Sequence, residues 1–198
     1  MRPKSLRARD AVLASAVKAF ARRGYAGTSM QDILRATGLS KPTAYYYFKS
    51  KAGLFRAILA FAYDESFRLM QSGLQDKATC QQRLVEVAAA LFDFASRHRD
   101  LTRLVFATVF AAPEEIPPKS IDPAKRRRNF EFVLGIVRVG QKAGELDAAC
   151  DPLELAHGIF GAISHQIRTH LIQPQGLLDR SRAGRVVALF LNGARKPT

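Results

Sequence analysis

Residues 28–56 constrain the fold of this chain more than any other stretch. They read TSMQDILRATGLSKPTAYYYFKSKAGLFR and predict a short helix, a turn at Gly38, and a second short helix with three consecutive tyrosines. Two short helices joined by a glycine turn are typical of the helix-turn-helix, whose second helix enters the major groove of DNA. The stretch therefore indicates a reader of DNA and not an enzyme.

Helix-start signals locate the ends of these helices. Thr28-x-x-Gln31 is interpreted as a capping box that opens the first of them. Ser40 is expected to cap the second helix, with Pro42 in its first turn. Proline is tolerated there because the N–H groups of the first turn have no partner within the helix. Ser50 is expected to cap the helix that follows.

The charge of the chain favours nucleic acid as the partner. The formal net charge is +14, and within residues 1–56 the only acidic residues are Asp10 and Asp32. Such a balance favours polyanions, with nucleic acid first and an anionic membrane second. No apolar run is long enough to span a bilayer, and none precedes Asp10 as in a secretory signal. We therefore expect a cytoplasmic protein with no membrane partner.

The rest of the chain has helical periodicity and no convincing strand. Asp122-Pro123 and Asp151-Pro152 each place Asp at a cap and Pro at the first helical position, which predicts two helices of about 20 residues. A last helix is expected from about Ser181 to Asn192. The predicted fold is all-α with about nine helices, divided into a DNA-binding domain at 1–50 and a larger domain at 51–198.

Metal and catalytic sites are not indicated. Cys80 and Cys150 are far apart in the sequence and form no zinc-binding pattern. They are interpreted as two reduced thiols, with a redox-sensing pair as the alternative. Glu154-x-x-His157 occurs once, whereas a carboxylate-bridged di-iron bundle needs the pattern twice. No nucleophile-base, paired-carboxylate or phosphate-loop pattern occurs at a usable spacing. We expect no cofactor, no metal and no enzymatic activity. The alternative is a helical enzyme with an accessory DNA module, which steady turnover of a small molecule would support.

Residues 19–55 resemble the N-terminal domain of the TetR family of transcriptional regulators. The matching positions are Phe20, Gly24, Tyr25, Thr28, Ser29, Ile33, Gly38 to Lys41, Thr43, Tyr45 to Phe48, Lys51, Leu54 and Phe55. Ala44 departs from the pattern, since a leucine is common there, and the smaller side chain is expected to loosen the packing of the third helix slightly. The remainder of the chain matches the family only in the number and length of its helices.

The resemblance implies a homodimeric repressor that a small-molecule effector releases from a palindromic operator. Its implied phosphate contacts are Thr28, Lys41, Tyr46 and Lys51, its groove contacts are Thr43 and Tyr45, and Lys41 and Pro42 reach bases. Free helix N-termini also bind anions, which adds Ser29, and the Tyr47 hydroxyl suits phosphate as well. The charge alone would also suit an architectural DNA-binding protein that is indifferent to sequence.

The C-terminal half offers candidates for an effector pocket and a dimer interface. Effector pockets are mostly apolar with few polar groups. The pocket candidates are Phe61, Phe94, Phe106, Phe110, Phe132, Arg138 and Gln166. Small residues among apolar ones in the last two long helices predict an interface between two copies, although a face buried within one copy would look similar. The interface candidates are Leu155, Gly158, Ile159, Gly161, Ala162, His165, Val186 and Phe190.

A basic run follows the cap at Asp122. Lys125 to Arg128 lie near a helix N-terminus, where positive charge is unfavourable. A solvated helix face, an acidic effector or DNA would each account for the run. Some compensating group is expected, and the sequence does not identify it.

Overall fold

The protein, seen in a computed structural model, is helical throughout the residues that the structure describes, namely 4–74, 79–112, 114–174 and 176–193. These residues contain nine α-helices and no β-strand, so the predicted all-α fold is confirmed. The helices are α1 (Lys4–Arg23), α2 (Met30–Arg35), α3 (Lys41–Phe48), α4 (Lys51–Ser72), α5 (Cys80–Arg97), α6 (Arg99–Val109), α7 (Pro123–Lys142), α8 (Pro152–Ile172) and α9 (Arg180–Asn192).

Several helices begin and end at the predicted capping and breaking residues. The Asp151 carboxylate accepts a hydrogen bond from the Leu153 amide at 2.8 Å and so caps α8. Gly38 closes the turn after α2 with a φ of +66°, in the left-handed region that glycine adopts without strain. Helices α7 and α8 contain 20 and 21 residues, which confirms the predicted length of about 20.

The helices form two compact units. The first unit contains α1 to α3, α6, and the beginning of α4 as far as Ala62. The second unit contains the remainder of α4 from Tyr63, together with α5, α7, α8 and α9. Each unit therefore combines two separate stretches of the chain that pack together. The predicted boundary between functional domains at residue 50 stays a prediction.

Aromatic rings organise the core of the first unit. The fully buried Phe20 and Phe55 pack edge to face with ring centroids 5.2 Å apart. Tyr25 lies against both rings, at 5.8 Å from Phe20 and 5.1 Å from Phe55. The Ser15 hydroxyl ties α1 to α2 by donating to the Ile33 carbonyl at 2.7 Å. These contacts fix α1, α2 and the start of α4 against one another.

The second unit packs long helices through their apolar faces. Helix α5 packs against α7, α8 and α9, and α8 also packs against α7 and α9. One close approach is at Gly140, where an added Cβ would lie only 2.7 Å from the Cys80 Sγ. Burial, aided by the negative charge of Glu145, raises the pKa of the Cys80 thiol to about 11. Cys150 is exposed, and neither cysteine is in a disulfide.

The basic run of α7 finds its compensating group in α4, within the second unit. Asp64 accepts hydrogen bonds from Lys125 at 2.5 Å and from Arg128 at 3.0 Å. The Arg128 guanidinium also lies 4.1 Å from the centroid of the Phe67 ring. Two of the four cations are therefore held by packing against α4, while Arg126 and Arg127 are exposed.

In the residues that the structure describes, no helix combines the length and apolarity needed to cross a membrane. The same residues contain no group of three or more His, Cys, Asp or Glu side chains arranged to hold a metal ion.

Candidate nucleic-acid interface

Helix α3 is held at both ends by its own side chains and backbone. The Ser40 hydroxyl accepts a hydrogen bond from the Thr43 amide at 3.4 Å, and Pro42 lies in the first turn. Lys49 follows the helix with a φ of +63°, and its amide donates to the Tyr45 carbonyl. The predicted cap and the predicted position of Pro42 are confirmed. Because both ends are fixed, the helix presents a defined set of side chains.

The outward face of α3 is polar, aromatic and basic. Ala44 and Phe48 are buried in the first unit, as predicted for Phe48. Tyr46 is 73% exposed, and Tyr45 is 43% exposed. The exposed Lys41 and Pro42 lie in the first turn, and the half-buried Tyr47 packs edge to face on Tyr46 at 5.2 Å. A short helix with this face can enter a major groove and offer hydroxyl and ammonium donors to DNA.

The turn between α2 and α3 is tied by Thr37. Its hydroxyl donates to the Leu34 carbonyl at 2.9 Å and accepts from the Leu39 amide at 3.2 Å. A turn whose polar groups are satisfied locally holds the two helices of the motif at one angle. The local sequence therefore sets the orientation of α3 relative to α2.

The capping box of α2 lies one residue later than predicted. Ser29 is the cap: its hydroxyl accepts from the Asp32 amide at 3.1 Å, and its own amide donates to the Asp32 carboxylate at 3.1 Å. The predicted Thr28–Gln31 box is wrong, because the Thr28 side chain is buried. Hydrogen bonds from Ser29, with Arg23 and Arg35 nearby, lower the pKa of the Asp32 carboxyl.

The burial of Thr28 also changes the predicted interface. Thr28 is only 1% exposed, and its hydroxyl donates to the Gly24 carbonyl at 2.8 Å. A hydroxyl in that position is not available to a phosphate, so Thr28 is removed from the candidate contacts. Ser29 is exposed, but its hydroxyl donates to the Asp32 carboxylate at 2.7 Å, so its contact with phosphate stays a prediction.

The start of α4 is capped by Ser50, as predicted, since the Gly53 amide donates to the Ser50 hydroxyl at 2.9 Å. Lys51, the first residue of α4, does not point freely into solvent. Its ammonium donates to the carbonyls of Tyr25 at 3.0 Å and Thr28 at 2.9 Å. The two predicted helix ends at Ser29 and Lys51 are thus both linked to the α1–α2 loop.

Positive charge gathers on α1 as well as on α3. A cleft of about 670 Å³ lies between α1 and α2. Its lining is Ala11, Ala14, Ser15, Lys18, Ala19, Arg22, Arg23, Asp32, Ala36 and Thr37, which places three cations and one carboxylate around four alanines. The carboxylate of Asp32 is 3.8 Å from Arg23, too far for a strong pair. The basic character of the N-terminal helices therefore extends beyond the recognition helix.

The predicted pocket residues are divided between the two units. Phe94 is buried in the second unit, where Phe132 and Gln166 are half-buried and Arg138 is exposed. Phe106 and Phe61 belong to the first unit and are partly exposed. Phe110 is 87% exposed and lies outside the apolar core, so its place in an effector pocket stays a prediction. Aromatic residue type and helical spacing did not reveal its exposure.

The predicted interface residues of α8 and α9 also separate into two groups. Gly161 and His165 are exposed, and Ala162 and Val186 are half-buried. Ile159 is fully buried within the protomer, so it belongs to the core of the second unit and has no surface for a partner.

The remaining candidates on these helices also pack within the second unit. Phe190 covers Gly158, at which an added Cβ would lie 2.6 Å from the ring. Leu155 packs on the buried cluster of Leu134, Val137 and Ala156. For Gly158, Phe190 and Leu155, the small and apolar residue types therefore agree with the alternative given above, a face buried within one copy.

Sequence reasoning missed the Ser29–Asp32 box, the role of Asp64 and the inward position of Lys51. The first had a signal, since Ser29 and Asp32 have the same three-residue spacing as Thr28 and Gln31. The other two depend on contacts between residues more than 20 positions apart, which no local pattern contains.

The N-terminal helices are similar to those of known proteins. Residues 12–58 match the model of the bacterial regulatory proteins of the tetR family. The HTH-type transcriptional regulator YdgC of Bacillus subtilis is 25% identical over 198 residues, which cover 98% of this chain and 95% of YdgC. The repressor ComR of Escherichia coli is 39% identical over 82 residues, but the match covers only 41% of this chain and 37% of ComR.

A solved structure extends the likeness of the fold over nearly the whole chain. The regulator FadR of Bacillus subtilis, in complex with stearoyl-CoA, superposes with a TM-score of 0.74 at 20% identity, covering 94% of this chain and 99% of FadR. The capped recognition helix and these matches define a helix-turn-helix transcriptional regulator. The likeness to the tetR family lies in residues 12–58, and the fold of nearly the whole chain resembles that of FadR.

Proposed function

We propose that this regulator is a repressor that binds a palindromic operator as a homodimer and leaves it when a small-molecule effector binds. The observation that carries the proposal is the outward face of α3, where Lys41, Pro42, Tyr45 and Tyr46 are presented on a helix fixed at both ends. Repression is favoured because ComR, a repressor, is 39% identical to this chain over 82 residues. Such a regulator acts in the cytoplasm, where bacterial DNA lies.

The roles of the α3 side chains follow from their position and chemistry. Lys41 at the start of the helix donates to a guanine edge or a phosphate, and Pro42 contacts a base edge. Thr43 offers its methyl group to a thymine while its hydroxyl stays on Ser40, 2.9 Å away. The tyrosine hydroxyls donate to phosphate oxygens and set the register of the helix. The Ser29 hydroxyl already donates to the Asp32 carboxylate at 2.7 Å, so it is not assigned to a phosphate.

A homodimer is proposed because a palindrome needs two recognition helices about 34–36 Å apart. The exposed residues of α8 and α9 supply the candidate surface, namely Gly161, His165 and, in addition to the predicted set, Leu189. Ile159 is omitted from this surface because it is buried within the protomer. The oligomeric state in solution, measured by light scattering, tests this part: a monomer at micromolar concentration would contradict it.

Long-chain acyl-CoA is the first effector class to test, since FadR of the same fold was solved with stearoyl-CoA. Such a ligand combines a long apolar chain with an anionic head, and the second unit is rich in phenylalanine and bears exposed arginines. Helix α4 contributes residues to both units, so a ligand that selects one position of α4 can shift the population of DNA-binding states. The shift requires different affinities of the ligand for the two states.

Selection of DNA from a random duplex library at about 150 mM salt, followed by sequencing, tests the proposal. We expect a palindromic consensus with a preference of roughly 10³-fold or more over other sequences. The variant Lys41→Met should weaken recovery, whereas Lys142→Met in the last turn of α7 removes the same charge and serves as the control. Retention without a shared sequence would instead support an architectural DNA-binding protein.

Titration of the selected operator complex with acyl-CoA tests the effector class. Release of DNA supports it, and unchanged operator affinity at saturating acyl-CoA excludes this class of effector. The sign of regulation is tested by a reporter gene behind the operator, where activation by the protein would contradict repression.

A further inference from the structure

Lys51 was predicted to contact phosphate, but its surroundings fit another role. Its ammonium donates to the Tyr25 carbonyl at 3.0 Å and to the Thr28 carbonyl at 2.9 Å. The same ammonium lies 4.1 Å from the centroid of the Tyr25 ring. Three sides of the charge are therefore occupied by groups of the same chain, and the side chain is half-buried.

The two carbonyls belong to the loop between α1 and α2. This loop leaves α1 through Gly24, at a φ of +71°, and is closed by a hydrogen bond from the Thr28 amide to the Tyr25 carbonyl at 3.3 Å. Carbonyls just beyond the end of a helix need partners other than the helix itself. Lys51 supplies charged donors to two of them.

The position of Lys51 in its helix also favours contact of its side chain with the α1–α2 loop. A cation at the first residue of a helix faces the positive end of the helix dipole, which is unfavourable. Two carbonyl oxygens and the face of an aromatic ring offset that disadvantage, whereas solvent alone would offset it less. The side chain thus has a specific reason to fold back onto the loop.

We propose that Lys51 is a positioning residue that fastens the α1–α2 loop, and with it the start of α2, to the start of α4. Thr28, whose carbonyl it binds, directly precedes Ser29, the cap of α2. Because α2 packs against α3, the fastening also sets the position of the recognition helix. This effect on DNA rests on the proposed operator binding, while the fastening itself does not.

Hydrogen exchange of the free protein tests the fastening without DNA. In Lys51→Met, amides of residues 26–29 should exchange about tenfold faster, because the loop opens more often. Amides in the centres of α1 and α5 should be unchanged. Lys41→Met serves as the matched control, since it removes an exposed lysine from α3 and should leave the loop unaffected. Unchanged exchange at residues 26–29 in Lys51→Met would overturn the proposal.

The salt dependence of operator binding separates positioning from phosphate contact. Lys51→Met should weaken binding about tenfold while the slope of log K against log salt stays at the wild-type value, whereas losing a phosphate contact reduces the slope by about one. A slope reduced by about one in Lys51→Met would assign Lys51 to phosphate and overturn the positioning role.

Two further outcomes are also informative. If Lys51→Met fails to fold, the same two measurements are made on Lys51→Gln, because glutamine is neutral but keeps an N–H donor. Residues 26–29 should again exchange faster, by less than in Lys51→Met, and unchanged exchange would overturn the proposal. If the wild-type protein selects no operator, the proposed function fails, whereas the exchange experiment still tests the fastening.

Discussion

The first unit carries its candidate DNA-contacting side chains on very short helices, while the second unit is built from long helices. Helices α2 and α3 contain 6 and 8 residues, too few to be stable alone in water. Their positions depend on caps such as Ser29 and Ser40 and on ties such as Lys51. Helices α5, α7 and α8 contain 18 to 21 residues and are stabilised by wide apolar contacts. Substitutions at helix ends should therefore matter most in the first unit, and substitutions at packed faces in the second.

The largest effect is expected from Phe92→Ala in the core of the second unit. Phe92 is fully buried in α5, and loss of such a ring costs about 3–5 kcal/mol of unfolding free energy. Urea unfolding at fixed protein concentration measures the change. Leu153→Ala, at a residue 44% exposed on α8, is the control and should cost far less. Equal costs at the two positions would show that the buried faces do not dominate the second unit.

A close contact in the second unit gives the next largest effect. Gly140→Ala places a methyl group 2.7 Å from the Cys80 Sγ and should cost about 1–3 kcal/mol, because the helices must separate. Gly135→Ala in the same helix meets no atom within 4 Å and should stabilise by up to about 1 kcal/mol. Thermal unfolding of both variants checks the opposite signs. A stabilising Gly140→Ala would contradict the tight packing of α5 on α7.

A substitution at a helix cap tests whether helix ends determine local stability in the first unit. Ser29→Ala removes the α2 cap and should cost about 1 kcal/mol locally, since a short helix has little else to hold its end. Hydrogen exchange of the α2 amides measures this cost, and operator affinity should fall with it. Gln31→Ala is the matched control and should change little. If Gln31→Ala proved the costlier substitution, the box would be Thr28–Gln31 after all.

The smallest effect concerns Asp64 in the second unit. Burial raises the pKa of the Asp64 carboxyl, but hydrogen bonds and charge from Lys125 and Arg128 outweigh it and hold the pKa below 3.8. A lowered folded pKa means that the stabilisation is complete above 3.8 and is lost as the pH falls through the folded pKa.

Asp64→Asn should therefore cost less than about 1 kcal/mol near neutral pH, because the group is partly exposed, and nothing in strong acid. Urea unfolding of both proteins at several pH values measures the difference. A difference that grew in acid would contradict the assigned ion pairs.

The predictability of the two units differs for physical reasons. Ser40, Ser50 and Asp151 were predicted as caps because a cap involves residues within one turn. Gly38 was predicted to end α2 because its freedom at positive φ is a property of the residue itself. The helix-turn-helix and its exposed face could therefore be predicted from the sequence.

The errors arose where distant contacts decide. Thr28 and Ser29 both begin a plausible capping box, and burial of Thr28 against α1 selects between them. Ile159 has the residue type of an interface, but its burial depends on the whole unit. The partner of Lys125 and Arg128 is Asp64, more than 60 positions earlier, and no spacing rule connects them.

The contrast between the two cysteines has a practical consequence for future measurements. Cys80 is buried and its thiol has a raised pKa, while Cys150 is exposed. Since thiolates react with maleimides, the native protein should take up a single dye, at Cys150, without any mutation. Each protomer of a dimer would then carry one label at the same place. Energy transfer between two such dyes would report the change in protomer arrangement as effector is added and operator is released.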